Sequence, residues 1–335
     1  MTGTILITGA AGFFGSALGQ RLTDAGERVI GLDVVPAGAS SFSCVTADVR
    51  DADAIHELCR SSGVDRIVHA GGISGRSVQR DDKTAPIAIN VMGTAAIFEV
   101  ARRLSVRRVV LCSSGSAYGL CDSDPVTEDA PLVPVNSYGA SKVASEAILH
   151  AYAAESGVDG IALRIFQAFG PFRRTACTIR TMVEAALDGA TAKIRYRADA
   201  RCQFVYIDDV VDALTAALSV TRHAQRIYNV TGGTSLTLGE VAAIARAVLP
   251  GLTVEFGDDP LSREYCLRRI DISAAERDLG YAPKVGLADG IAVYAQRLRA
   301  RRSAQSVGAP CKQQEKPGRA PCTLRDYSAP TDICS

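Results

Sequence analysis

Short apolar runs alternate with longer stretches of helical periodicity along the first half of the chain. ILIT (5–8), ERVIGLD (27–33), DRIVHA (65–70), RRVVLCSS (107–114) and GIALRIF (160–166) are rich in β-branched and apolar residues, with little polar alternation. Runs of this kind predict strands buried on both faces, the arrangement of a parallel sheet covered by helices. Between them the apolar positions recur every three to four residues, predicting helices over about 15–25, 51–61, 84–103 and 137–155. Strand and helix alternate, so the expected fold class is α/β with a doubly wound parallel sheet.

After Gly170 and Pro171 the alternation loosens. A helix is expected near 179–187, strands near Ile194 and over 204–207, and helices over 208–218 and 238–249. This pattern predicts a nucleotide-binding domain over 1–170 to which later segments return, and a smaller substrate-binding lobe over 171–302. The substrate would lie in the cleft between them. Residues 303–335 are rich in Pro, Gly, Ser and charge without periodicity, and are expected to be a disordered tail.

With 37 Lys plus Arg against 36 Asp plus Glu, the chain has no strong field to attract nucleic acid or an anionic membrane, which leaves small molecules as the expected partners. The opening MTGTILITGAAG runs straight into a strand without a basic leader, and no apolar stretch has the length of a membrane span. A cytoplasmic location is the expectation. The NVT at Asn229 matches a glycosylation sequon but has no meaning without a secretory leader. The 10 cysteines stand singly, without CxxC spacing, and are expected to be reduced and mostly buried. His56, His69, His150 and His223 have no second ligand at helical or hairpin spacing, so no structural metal is expected.

TGAAGFFG (8–15) places Gly9, Gly12 and Gly15 between the first strand and the first helix. Glycines there let the backbone turn tightly and bring main-chain N–H groups against a pyrophosphate at a helix N-terminus, as in a Rossmann-type site. An ordinary glycine-rich turn would look the same without its context. Asp33 closes the second strand where an acid accepts the hydroxyls of an adenosine ribose. Val34 and Val35 follow where a 2′-phosphate would call for Arg, so NAD is expected in preference to NADP. Asp48 suits either the adenine amino group or a helix cap.

Tyr138 and Lys142 stand at i and i+4 in NSYGASKVASE and share a face of the predicted helix. A cation beside a phenol lowers its pKa toward a useful base. The alternative is a solvated lysine beside a half-buried tyrosine. Ser113, Ser114 and Ser116 close the fifth strand at the edge where ligands of open α/β sheets gather, or else form a capped turn.

Taken together, these residues resemble the extended short-chain dehydrogenase/reductase family, the NAD-dependent sugar epimerases and dehydratases. The resemblance covers about residues 3–300. TGAAGFFG resembles the family's TGxxGFIG, VHAGG (68–72) its HLAA, and NVMGT (90–94) its NxxGT. SSGSAYG is similar to SSxxVYG, YGASK supplies YxxxK, LRIFQAFGP (163–171) resembles LRxFNVYGP, and FVYIDDVVDA (204–213) resembles FVYVDDVADA. The resemblance implies catalysis by Ser114, Tyr138 and Lys142. It implies NAD contacts from Gly9, Ala11, Gly12, Phe13, Phe14, Gly15, Asp33, Asp48, Val49, Ala70, Gly71, Gly72 and Asn90, as well as from Tyr138 and Lys142. Substrate contacts fall at Ser74, Arg76, Ser114, Ser116, Gln167, Arg174, Arg180 and Arg201. The family also implies a homodimer built on the helices bearing NxxGT and YxxxK.

Departures bear on the substrate. Gln167 stands for the family's Asn, and Cys202 and Gln203 stand where nucleotide-sugar enzymes carry Arg and Asp. Gly115 and Ser116 replace the acids of a dehydratase. An epimerase of a sugar or nucleotide sugar is the leading expectation. A dehydrogenase of a free sugar or sugar acid is the second, motivated by Arg76, Arg173, Arg174 and Arg180, which otherwise are surface charges. A non-catalytic NAD-binding protein is the third, and the joint presence of Ser114, Tyr138 and Lys142 argues against it.

Overall fold

The computed structural model describes residues 3–36, 40–73, 82–173, 175–259 and 268–307. In chain order the first half comprises β1 (Thr4–Thr8), α1 (Phe13–Asp24), β2 (Arg28–Asp33), β3 (Ser43–Thr46), α2 (Ala52–Ser62), β4 (Val64–His69), α3 (Met92–Leu104), β5 (Arg108–Ser114), α4 (Ser137–Ser156) and β6 (Gly160–Ile165). There follow β7 (Ala168–Phe169), α5 (Thr178–Asp188), β8 (Thr191–Tyr196), β9 (Arg201–Cys202), β10 (Val205–Tyr206), α6 (Ile207–Ser219), β11 (Ile227–Val230), β12 (Leu236–Thr237), α7 (Leu238–Val248), β13 (Thr253–Asp259), α8 (Ser273–Leu279) and α9 (Leu287–Val307).

The unbroken apolar runs become the centre of a seven-stranded sheet of order β11-β6-β5-β4-β1-β2-β3, and its strand pairs are parallel. β1, β5 and β6 are buried at every position. Helices on both faces cover them, which is why these strands carry almost no polar alternation. From β1 the order runs outward through β2 on one side and β4 on the other. This reversal opens a crevice at the carboxyl edge, where Thr8, Asp33, His69 and Ser114 end their strands.

Two sheet strands were not legible as strands. β3 is only 4 residues long and mostly exposed at the sheet edge, and β11, also 4 residues, carries Asn229 in its middle. Asn229 is fully buried, so the sequon is inaccessible. Its side chain accepts from the Tyr118 hydroxyl at 2.8 Å and donates to the Val126 and Asp271 carbonyls.

Later segments form smaller pairings, β8 with β13 in parallel and β9 with β12 antiparallel. The tail boundary expected after Arg302 is corrected: α9 continues to Val307. Ala, Arg and Gln, which favour a helix, sustain it through this stretch. The remainder of the expected tail lies outside the described residues. Among the described residues no helix is long and apolar enough to cross a membrane.

Candidate active site

The glycine loop is built by contact distances that admit no side chain. Gly9 has φ of +68°, and a Cβ there would lie 2.6 Å from the Ala70 carbonyl oxygen. A Cβ on Gly15 would lie 2.2 Å from the Gly9 carbonyl oxygen. Helix α1 starts at Phe13, two residues before the glycine at which the pattern predicts it, and Gly12 caps it without a side-chain hydrogen bond. The first-turn N–H groups are therefore uncapped at the positive end of the helix dipole, which suits a pyrophosphate. Asp33 Oδ2 accepts from Ala11 N at 3.0 Å and Oδ1 from Val35 N at 3.2 Å, so the acid at the end of β2 is held against the loop. Val34 and Val35 are exposed beside it. Loop, helix end and acid fit a dinucleotide.

Asp48 is gripped by Arg50 through both carboxylate oxygens, at 2.6–3.1 Å. That hydrogen bond holds its carboxyl below the usual range. It does not cap α2, because Asp51 does so by accepting from Ala54 N. Val49 is buried, and a Cβ on Gly93 would meet it at 2.6 Å.

Ala70, Gly71 and Gly72 follow β4 and are tied down from two sides. Gly71 N donates to Thr8 Oγ1 at 3.0 Å, and the same hydroxyl is hydrogen-bonded to His69 Nδ1 at 2.8 Å. Asn90 accepts from Ile73 N at 2.9 Å and donates to the Ile73 carbonyl and to Ser141 Oγ. Asn90 lies in a π-helical turn, Ile87–Val91, that precedes α3 where one continuous helix was expected. Thr94 completes the NxxGT motif by bonding the Asn90 carbonyl and Ser145.

Burial holds the His69 imidazole down to about 3, with the Lys142 charge adding to the effect. The unfolded chain binds a proton near pH ~6.5 that the folded chain refuses, so stability falls as pH drops from about 6.5 toward about 3, by up to about 1.4 kcal/mol per pH unit. Urea unfolding at about pH 4.5 is expected to show a deficit of about 2–3 kcal/mol from this group relative to pH ~7. The variant His69→Gln keeps an acceptor for Thr8 and should flatten that slope; an unchanged slope would show that His69 is not its source.

Tyr138 and Lys142 occupy the first turns of α4, capped by Asn136, whose side chain accepts from Gly139 N. Lys142 is buried, donates to the Cys112 carbonyl at 2.8 Å, and lies 5.8 Å from the Tyr138 ring centroid. Ser114 Oγ accepts from Ser116 N at 3.2 Å, and the Ser114 hydroxyl lies near enough to the Tyr138 phenol to lower its pKa. The structure thus brings Ser114, Tyr138 and Lys142 together at the end of β5.

One expectation is corrected. Burial pushes the Tyr138 phenol above its ordinary pKa, against the Ser114 hydrogen bond and the Arg173 charge, which lower it. The lysine ammonium is committed to the Cys112 carbonyl, and burial depresses its own pKa.

Ser116 is buried in the short turn Gly115–Ala117. Gln167 follows β6, and its buried Oε1 has no partner among the described residues. Arg180 is engaged by Glu184 at 2.8 Å and by the Arg173 carbonyl, leaving little of it for a substrate. Arg173 donates to the Ala168 carbonyl and to Thr175, and its guanidinium lies 6.0 Å from the Phe13 ring centroid. Arg201 is exposed and reaches Ser235 at 3.3 Å, whereas Cys202 is buried against the Leu236 carbonyl. Ser74, Arg76 and Arg174 lie outside the described residues.

Glu146, together with Thr8 and Arg164, which lie within the motifs but are not among the expected site residues, is close to the site. The available signals were a carboxylate at i+8 from Tyr138 and a lone Arg inside an apolar strand.

A model of the NAD dependent epimerase/dehydratase family matches residues 5–231. The chain is 35% identical over 302 residues to a UDP-glucose 4-epimerase of Mycolicibacterium smegmatis, covering 86% of this chain and 96% of the relative. Among solved structures it is similar to MoeE5 in complex with UDP-glucuronic acid and NAD, at 27% identity and a TM-score of 0.80, over 89% of this chain and 100% of the other. A partial-consensus L-threonine 3-dehydrogenase superposes with a TM-score of 0.82 over 89% of this chain and 99% of the other, but at 23% identity that likeness concerns the fold alone. The glycine loop, the Ser114, Tyr138 and Lys142 cluster and these matches agree, and the chain belongs to the NAD dependent epimerase/dehydratase family of enzymes.

Proposed function

We propose that this enzyme is an epimerase of a nucleotide sugar that keeps its NAD bound through the cycle. The observation that carries the reading is the gathering of Ser114, Tyr138 and Lys142 at the carboxyl end of β5, with Lys142 5.8 Å from the Tyr138 ring centroid, at the switch-point crevice where α1 also begins uncapped. The relatives named above as acting on or binding UDP-sugars support it. Gly9, Gly12, Gly15 and Asp33 hold the dinucleotide, and Lys142 holds its nicotinamide ribose. NAD, when bound, supplies the hydride acceptor and donor. Ser114 would orient the sugar hydroxyl and Tyr138 would take its proton as the hydride on the same carbon leaves to the dinucleotide, so that proton and hydride together account for the ketone. After the sugar turns its other face, the hydride would come back to the opposite face of that carbon and the Tyr138 hydroxyl would return the proton to the sugar oxygen. The unpartnered Gln167 carbonyl is an acceptor for a sugar hydroxyl.

Incubation with UDP-glucose or UDP-glucuronic acid, followed by chromatography of the C4 epimers, tests the reading. Interconversion without net NADH is expected. Steady NADH release would replace it with a dehydrogenase.

Asp33→Ala removes a charged acceptor for the ribose, and hydrogen bonds to charged groups are worth about 1.5–3 kcal/mol, so NAD affinity is expected to fall about 10–100-fold. Calorimetric titration of protein stripped of NAD measures it, and undiminished affinity would remove Asp33 from the site.

The exposed Ile87, in the turn before α3, and Met92, at the start of α3, support a homodimer through α3 and α4, to be checked by sedimentation. The buried thiols of Cys59, Cys112, Cys177 and Cys202 support a reducing, cytoplasmic location, which cell fractionation tests.

A further inference from the structure

Arg164 stands one residue before the end of β6, a strand buried at every position, where a guanidinium needs a partner to be tolerated. Its register partner on β5 is Ser113, so the two side chains leave the sheet on the same face. Both end on one carboxylate. Arg164 Nε and Nη2 donate to Glu146 at 2.7–3.2 Å, and Ser113 Oγ donates to Glu146 Oε1 at 2.5 Å. Glu146 is 3% exposed. It follows Tyr138 and Lys142 on the same face of α4, one further turn along.

Three consecutive residues of β5 therefore each hold α4. Ser114 neighbours the Tyr138 phenol, the Cys112 carbonyl receives the Lys142 ammonium, and between them Ser113 reaches Glu146. The first two contacts belong to the catalytic group, and the third touches none of the reacting atoms. We propose that Glu146, gripped by Ser113 and Arg164, is a positioning residue that fixes how α4 seats on β5 and so sets the Ser114–Tyr138 and Cys112–Lys142 contacts.

The inference rests on Tyr138 being the base. A buried ion pair adds little net stability over apolar residues of the same size, so its contribution here is geometric. The grip extends to the segment between β5 and α4. Arg164 Nη1 donates to the Glu128 carbonyl at 2.9 Å, and its guanidinium lies 4.6 Å from the Tyr118 ring centroid.

Ser113→Ala is the informative variant, because it removes one hydrogen bond and leaves the ion pair intact. It is expected to lower kcat for the UDP-sugar about tenfold with KM nearly unchanged, since small misplacements of reacting groups act on the rate. Ser113→Thr, which keeps the hydroxyl, should restore kcat. A second readout does not depend on the substrate: titration of ¹³C-tyrosine-labelled, NAD-loaded protein, with the Tyr138 signal identified by its loss in Tyr138→Phe. Tyr138 is faced by Ser114 and Cys112 from β5, by Lys142 from its own helix and by Arg173 from the segment after β7. Loosening the Ser114 contact is expected to move the Tyr138 midpoint to higher pH in Ser113→Ala and back in Ser113→Thr. A moved midpoint in a protein that turns over no UDP-sugar would uphold the positioning role and sink the substrate assignment. Unchanged kcat and midpoint, with only a lower melting temperature, would overturn the positioning role.

Discussion

Tyr138→Phe is expected to lower kcat by about 10³-fold or more while leaving NAD affinity within about threefold, because a positioned base contributes about 10²–10⁴ and the ring itself is retained. The phenol sits above its ordinary pKa through burial, and the Ser114 hydrogen bond opposes that shift. Tyr138 is thus neutral near pH ~7 in the protein without substrate, and the parent's turnover should climb with pH as the phenolate fraction rises. In Tyr138→Phe that climb disappears. Ser114→Ala keeps the phenol but removes the bond that lowers its pKa, so the climb is expected to persist, displaced to higher pH. Rate measurements across about pH 6–9, paired with calorimetric NAD binding, separate these outcomes. A Tyr138→Phe variant as active as its parent would mean that another group moves the proton, and the non-catalytic NAD-binding alternative would return to consideration.

Sequence pattern and structure agree best where one physical cause acts alone. β1, β4, β5 and β6 are legible because burial on both faces leaves continuous apolar runs. β3 is not, because an edge strand of SCVT has little to bury. β11 is not, because Asn229 interrupts it for the sake of Tyr118 and the Asp271 carbonyl, contacts made over more than forty residues of chain. The π-helical turn at Asn90 escapes an amphipathic pattern, since its extra residue serves hydrogen bonds to Ile73 and Ser141.

The catalytic cluster is legible because Tyr138 and Lys142 lie one helical turn apart. Its electrostatics are not. Nothing in the local sequence says that Lys142 turns to the Cys112 carbonyl or that burial dominates at the Tyr138 phenol. Likewise the i+8 spacing offers Glu146 as a face residue, but only the β5–β6 register brings Ser113 and Arg164 onto it. Arg180 shows the converse: an exposed-looking cation in a motif-rich segment is held by Glu184 on its own helix.

The glycines separate two costs that are easily confused. Gly9 and Gly26 both have positive φ, +68° and +82°, a region that costs a non-glycine residue about 1–2 kcal/mol. At Gly26 an added Cβ meets nothing within 4 Å, whereas at Gly9 it meets the Ala70 carbonyl and Gly71 N at 2.6–2.8 Å. Those atoms are backbone and are anchored by the Thr8 hydroxyl, so they cannot swing aside. Gly26→Ala is therefore expected to cost only the backbone strain, about 1–2 kcal/mol in urea unfolding, and to leave NAD affinity unchanged. Gly9→Ala carries the same strain and must also push the end of β4 away from the loop. Its expected cost is about 3 kcal/mol or more, with NAD affinity reduced at least about 100-fold, because the amides of the loop and the start of α1 move together. Gly15→Ala, clashing with the Gly9 carbonyl without any positive φ, should lose affinity like Gly9→Ala. Equal effects of Gly9→Ala and Gly26→Ala on NAD binding would mean that the loop's close packing is not what shapes the dinucleotide site.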